Sequence, residues 1–371
     1  MRRRYYLFAT GGSGGHIYPA LAVAAAAQRR GIEVGFIGHA GGMEASIVPD
    51  SNFDFYGVAA GKWQRGAPDP RQALRALWGL VEASRLLKRL RPDLVVGFGG
   101  FASFPACFAS SLFNLPFVLH EGNAFPGRVT RWFAGRALAV LTSQPEAASK
   151  LQHAKRLEDV GFPIREQRLS KEDARRELGL PQQGTVTLVL GGSQGSLTLN
   201  KEVPLAYRAL REDVGRELGT VLHCTGARWL ESVRASLPED RRYLLKGYVE
   251  ATLAWSAADL AITRAGVSTL AEAAFHGVPV IMVPLPSAAE NHQRHNAQAV
   301  EAAAAGRMVE EPDLSELPRV WREFLDPEVR RSAAYAAKAR SPEGAAEQFL
   351  LLFDSLLTTS IAAARAGKGA L

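Results

Sequence analysis

The chain has 371 residues, 47% hydrophobic and 22% charged, with a formal net charge of +7 and two cysteines, Cys107 and Cys224. That length asks for two domains of similar size, and that composition excludes a disordered, collagen-like or disulfide-stapled chain. The positive charge favours an anionic partner, but the basic residues are too scattered for a nucleic-acid face.

Two distant cysteines suit a reducing compartment, the cytoplasm. No apolar run reaches the roughly 18 residues of a membrane span, because Ser110, Asn114 and Pro116 interrupt the longest one. The opening MRRRYYLFA imitates an export signal until GGSGGH breaks its apolar core. YYLFA is therefore expected as a buried strand and ALAVAAAAQRRG as a helix closed by Gly31. The glycines between them form a strand-to-helix turn, where backbone N–H groups and missing Cβ atoms suit an anion, phosphate first. Neither common template fits. Ile17 stands where G-x-G-x-x-G needs its last glycine, EVGFIG ends in Gly38-His39 without a ribose-binding acid, and no P-loop lysine follows. By itself the loop leaves open a turn that merely packs its helix on a sheet.

VGFIG, LVVGFG and FVLH continue the strands to about residue 160, alternating with helical segments, which implies a parallel sheet covered by helices. The pattern restarts at TVTLVLGGSQGSLTLN and runs through VLHC, YLLKGYV, LAIT and PVIMVP. Two doubly wound domains follow, 1–162 and 163–341, divided at the polar GFPIREQRLSKED, with ligands expected in the cleft between them. The apolar helix of 342–359 has no strand after it and is expected to pack back across the boundary on the first domain, leaving 360–371 as a frayed tail.

Three glycine-rich turns, 10–16, 97–103 and 191–196, suggest ligands with several phosphates. In GGSQGS, Ser193 either meets a diphosphate at a helix start or satisfies its own turn. Thr269-Leu-Ala-Glu272 fits a capping box, with a ribose diol as the alternative partner of Glu272. His292 and His295 lack a third ligand, so no metal is expected, while Gln293 and Asn296 suit sugar hydroxyls or an ordinary helix start. In HEGNAFPG, His120 reads as a core histidine, Glu121 as a surface charge and Asn123 as the functional member. His16, beside the first loop, is the candidate base, or else a helix cap. Finally, Leu74, Leu77, Trp78 and Val81 form one helical stripe near Arg71, Arg75, Arg85 and Lys88, facing either the core or an anionic membrane.

Taken together, GGSGGHIYPALA, GFGGFASFP, LHEGNAFPG, GGSQGS, TRAGVSTLAEAAFHGVPVIMVPLP and NHQRHNA stand in the order and spacing of the MurG family, which the chain resembles over nearly its whole length. These are bacterial N-acetylglucosaminyltransferases of peptidoglycan synthesis. The resemblance implies an α/β GT-B fold of two Rossmann-like domains facing a central cleft. It implies inverting transfer from UDP-N-acetylglucosamine to the C4 hydroxyl of lipid I, the undecaprenyl-pyrophosphate-linked MurNAc-pentapeptide, giving lipid II. It further implies a peripheral enzyme on the cytoplasmic face of the membrane, with anionic inner-leaflet lipid and other cell-wall or division proteins as partners, and neither cofactor nor nucleic acid.

Carried over by motif, Ser13, Gly14 and Gly15 lie with His16 at the cleft in the first loop, Asn123 and Arg165 are expected donor contacts, Ser193 meets the diphosphate, and Val249 with Gly266, Val267, Ser268, Thr269, Leu270 and Ala271 surrounds the uracil. Glu272 takes the ribose, Gln293 or His292 the sugar, and His16 the acceptor proton, with the first loop facing the acceptor diphosphate. Gly122 and Phe162 depart from the glutamine and asparagine usual in the family. A transferase with a diacylglycerol-type acceptor, a UDP-sugar epimerase and a non-catalytic sugar-nucleotide-binding protein are the alternatives.

Overall fold

A computed structural model describes residues 3–61, 70–192, 194–237 and 240–368, with side chains described to residue 359. The chain forms two compact units, Met1–Ile164 with Gly344–Leu371, and Arg165–Glu343.

In the first unit seven strands, Tyr5–Ala9 (β1), Glu33–His39 (β2), Asp54–Val58 (β3), Leu94–Gly97 (β4), Phe117–Glu121 (β5), Val140–Thr142 (β6) and Leu157–Asp159 (β7), pair in parallel in the order β3-β2-β1-β4-β5-β6-β7. Side chains alternate across the sheet: Tyr6 and Phe8 enter one core cluster, Leu7 and Ala9 the other. Because both faces are covered by helices, β1 reads as a continuous apolar run.

The second unit repeats the design with Val186–Leu190 (β8), Thr220–Cys224 (β9), Tyr243–Lys246 (β10), Leu260–Thr263 (β11), Val280–Met282 (β12) and Gly306–Met308 (β13), in the order β10-β9-β8-β11-β12-β13 and again all parallel. The sequence pattern does not reveal β3, β6, β7 or β13. Three of these are only three residues long, and β3 is a half-exposed edge strand, so neither offers enough apolar period to read. YLLKGYV stops as a strand at Lys246, and Tyr248 beyond it is exposed.

Strand order reverses once in each sheet, between β1 and β4 and between β8 and β11. At such a point the chain leaves two adjacent strands in opposite directions, so the loops that follow them lie side by side with no helix between. Those loops are the glycine turns at 10–16 and 97–103 in one unit, and residues 191–192, 194–196 and 264–266 in the other.

After Glu343 the chain returns to the first unit as the helix Ala345–Lys368. Phe349 and Phe353 are fully buried; Phe353 meets Tyr6 edge-on at 5.7 Å and Phe349 stacks on Phe98 at 6.2 Å. Arg30 pairs with Glu347 at 2.6 Å, and Arg4 with Asp354. The helix runs on to Lys368, so most of the segment expected as a frayed tail is helical backbone.

Candidate active site

The first glycine turn is folded back on itself. The Thr10 N–H donates to Ile37 O at 3.0 Å and its hydroxyl to His16 O at 2.7 Å. The helix Gly14–Arg29 starts after an extended Ser13, so Gly14 and Gly15 occupy its first two positions, where backbone N–H groups have no acceptor inside the helix. Gly12 does not join them; its N–H points inward to the buried Glu44 carboxylate at 3.2 Å. His16 does not cap its helix. Its Nδ1 lies 3.2 Å from Gly11 O and 3.0 Å from Ser13 Oγ. A carbonyl only accepts, so Nδ1 is the donor in that contact.

The second turn packs directly on the first. A Cβ on Gly100 would collide with Gly11 O, and one on Gly99 would sit 3.0 Å from His16 Cδ2. Two motifs nearly ninety residues apart in the sequence thus form one surface around His16.

In HEGNAFPG the structure corrects one expectation. Glu121 is no surface charge but 4% exposed, accepting the N–H groups of Asn123 at 3.1 Å and Gly127 at 2.8 Å and the Asn123 amide at 3.1 Å. Burial pushes its pKa up, and those donors pull it back. His120 is the core histidine expected: Nε2 bonds Ser143 Oγ at 2.9 Å, Phe162 packs on its ring at 5.6 Å, and burial lowers its pKa to about 3, with His16 adding to the effect.

In the second unit Ser193 lies outside the described residues. Ser196 caps the helix Leu197–Val214, its Oγ accepting the Leu199 N–H at 3.3 Å. The buried Arg264 ties this turn to its neighbours: Nε donates to Ser196 Oγ at 3.0 Å, one terminal nitrogen to Val283 O at 3.1 Å and Pro284 O at 3.3 Å, and the other pairs with Glu311 at 2.7 Å. In the sequence Arg264 belongs to no motif, and its one signal is a charge placed directly after a strand, at the carboxyl edge of the sheet.

Glu272 does not close a capping box. Its helix, Val267–His276, begins after Gly266, so Thr269 already lies inside it, and the Glu272 carboxylate instead accepts Trp255 Nε1 at 2.9 Å. Burial raises its pKa to about 7; the indole bond opposes the rise and nearby Glu250 adds to it. Val267 and Leu270 are buried, which limits them to backbone contacts with any ligand, whereas Gly266, Ser268, Thr269 and Ala271 are half-buried. Val249 packs on the same core, and Arg165 is exposed, 4.0 Å from Glu250. Gln293 Oε1 accepts the Leu285 N–H at 3.0 Å, which leaves its amide nitrogen as the donating end, while His292 Nδ1 bonds Ala289 O at 2.7 Å. Asn296, expected either to suit sugar hydroxyls or to stand in a solvated helix start, is buried and donates to Ala265 O at 3.2 Å.

On the helix Pro70–Leu90 the apolar stripe faces outward. Leu74, Leu77 and Trp78 are 71%, 67% and 56% exposed, while Gly79, Ala83, Leu86 and Leu87 are buried. Among the described residues no helix is long and apolar enough to cross a membrane.

The N-terminal domain of glycosyltransferase family 28 matches residues 6–142 and its C-terminal domain residues 186–349. The chain is 45% identical to the UDP-N-acetylglucosamine--N-acetylmuramyl-(pentapeptide) pyrophosphoryl-undecaprenol N-acetylglucosamine transferase of Deinococcus deserti, covering 95% of this chain and 99% of that protein. It is 41% identical to the like-named protein of Thermus thermophilus, with the same coverage of each. The crystal structure of Acinetobacter baumannii MurG superposes with a TM-score of 0.76 at 24% identity, covering 95% of this chain and 100% of that one, and a calicheamicin glycosyltransferase with 0.66 at 16%, covering 97% and 100%. The fold is thus GT-B, two Rossmann-like domains, and the chain belongs to glycosyltransferase family 28.

The raised pKa of Glu272 has a measurable sign. Between the ordinary 4.5 and about 7 the folded protein holds a proton here that the unfolded chain releases, so this group's stabilisation is complete below that window and lost as pH rises through it. Glu272→Gln is expected to flatten that part of the stability–pH curve in denaturant titrations; an unchanged slope would contradict the assignment.

Proposed function

We propose that this chain transfers N-acetylglucosamine from UDP-N-acetylglucosamine to the C4 hydroxyl of the N-acetylmuramoyl unit of lipid I, forming the β-1,4 bond of lipid II. What supports the reading is that each unit has a glycine-rich strand-to-helix turn at its strand-order reversal, one beside a histidine and the other beside the Glu272 helix. The transferases named above, at 45% and 41% identity over nearly the whole chain, support it.

In this reading the second unit holds the donor. The start of the helix Leu197–Val214, with Ser193, takes the diphosphate. Val249 and the run Gly266–Ala271 border the uracil, the Glu272 carboxylate accepts from the ribose diol, and Gln293, Arg165 and Asn123 meet the sugar and its surroundings. The turn Ser13–Gly15 takes the acceptor diphosphate. His16 Nε2 removes the C4 hydroxyl proton as that oxygen attacks the anomeric carbon from the face opposite UDP. The bond to UDP breaks, the configuration inverts, and the helix N-terminus stabilises the departing diphosphate, the task a metal performs elsewhere.

The outward stripe Leu74, Leu77 and Trp78, flanked by Arg71 and Arg75, lies on anionic lipid at the cytoplasmic face of the membrane, where the acceptor resides.

The test is UDP release in EDTA with and without a short-chain lipid I analogue, with the product identified by mass. Acceptor-dependent release and a gain of one N-acetylhexosamine are expected, and His16→Ala should slow turnover by about 10²- to 10⁴-fold. Release without acceptor, or His16→Ala within severalfold of wild type, would contradict the scheme. In flotation with vesicles containing anionic lipid, Leu74→Glu/Trp78→Glu should abolish an association the wild type shows and salt weakens; undiminished binding would exclude this face.

A further inference from the structure

Beneath the first glycine turn lies a buried carboxylate that the reaction scheme does not use. Glu44 opens the short helix Glu44–Asp50 and is 0% exposed. Its Oε1 accepts the N–H of His39, the last residue of β2, at 3.0 Å, and its Oε2 accepts the N–H of Gly12 at 3.2 Å. Among the described residues no lysine or arginine pairs with it. Its space is made by glycines: a Cβ on Gly11 or on Gly42 would collide with the carboxylate, and one on Gly38 would lie 2.9 Å from Glu44 Cγ.

A carboxylate sealed from water is costly unless its oxygens are matched, and here one oxygen takes an N–H from the end of β2 and the other an N–H from the first glycine turn. The consequence falls on the turn. With the Gly12 N–H drawn inward, the donors offered outward begin at Ser13, and Gly11 O is fixed where it receives His16 Nδ1. Glu44 therefore determines both the anion-facing side of the turn and the aim of the histidine.

We infer that Glu44 is a positioning residue for the acceptor half of the reaction, holding the turn Gly11–Gly15 and His16 in their working geometry without touching substrate. This rests on the reading that the turn faces the acceptor diphosphate.

Two substitutions reach the same contact from opposite sides. Glu44→Gln keeps the shape but sets an amide NH₂ against a backbone N–H. Gly42→Ala keeps the glutamate but displaces it, because the three atoms nearest to the new methyl all belong to the Glu44 carboxylate. With a lipid I analogue as the varied substrate at saturating donor, each should lower acceptor kcat/KM by about 10- to 100-fold, as expected when a buried donor loses its acceptor. UDP-N-acetylglucosamine affinity measured calorimetrically without acceptor should stay near wild type, while the melting temperature falls by a few degrees as the buried N–H loses its acceptor. The double variant should be little worse than either single one, because both break one contact.

Glu44→Gln with acceptor kcat/KM within about twofold of wild type would overturn the inference, since a merely space-filling side chain is replaced by Gln without loss. Effects that multiply in the double variant, or a parallel fall in donor affinity, would overturn it as well. Wild-type enzyme that releases no UDP in response to the acceptor would instead overturn the acceptor reading itself.

Discussion

The reversal of strand order in a parallel sheet is the constraint on which the rest of this structure depends. Where β1 meets β4 and where β8 meets β11, the chain departs in opposite directions, and the carboxyl edge of the sheet is left without a covering helix. What stands there is backbone: helix starts whose N–H groups have no internal acceptor. A site built from backbone needs residues that keep out of the way, which explains why its sequence mark is glycine rather than a set of reactive side chains. His16 and Glu272 are the exceptions, each on the helix that leaves such an edge.

Backbone turns hold a geometry only when something fixes them, and in this protein buried charges do so from the protein side. Glu121 gathers three donors of its own loop, Arg264 joins the ends of three strands to Glu311, and Glu44 ties the end of β2 to the first turn. Each would be a heavy desolvation cost if unmatched, and each is matched atom by atom. A turn fixed in this way gives up little conformational entropy when it meets a phosphate, so the cost of ordering is met during folding rather than at binding.

Much of the framework was legible because its signals are local. Strands such as YYLFA and VTLVL are continuous apolar runs, and the glycine turns sit between a strand and a helix. The charges that hold the turns were not legible, because their partners are remote in sequence: Gly12 and Glu44 are 32 residues apart, Ser196 and Arg264 are 68. Glu121 read as a surface charge since acidic residues mostly are, and nothing local announces that a loop will fold over it. Of the two sequence readings of Glu272 only the capping box fails: its pattern is met by coincidence inside a helix that starts at Val267, and the carboxylate's partner within the fold, Trp255, belongs to another helix. Periodicity found the stripe Leu74, Leu77 and Trp78 but is silent on which side is the core. That is decided by Gly79, Ala83, Leu86 and Leu87, which turn inward.

We propose a division of labour in which the second unit holds the donor nucleotide and the first turn of the chain is kept for the acceptor. A crystal structure of the protein with UDP-N-acetylglucosamine tests it most directly. The diphosphate is expected at the start of the helix Leu197–Val214 and the ribose hydroxyls on the Glu272 carboxylate. A nucleotide whose diphosphate sits on Gly14 and Gly15, with nothing at Glu272, would contradict it.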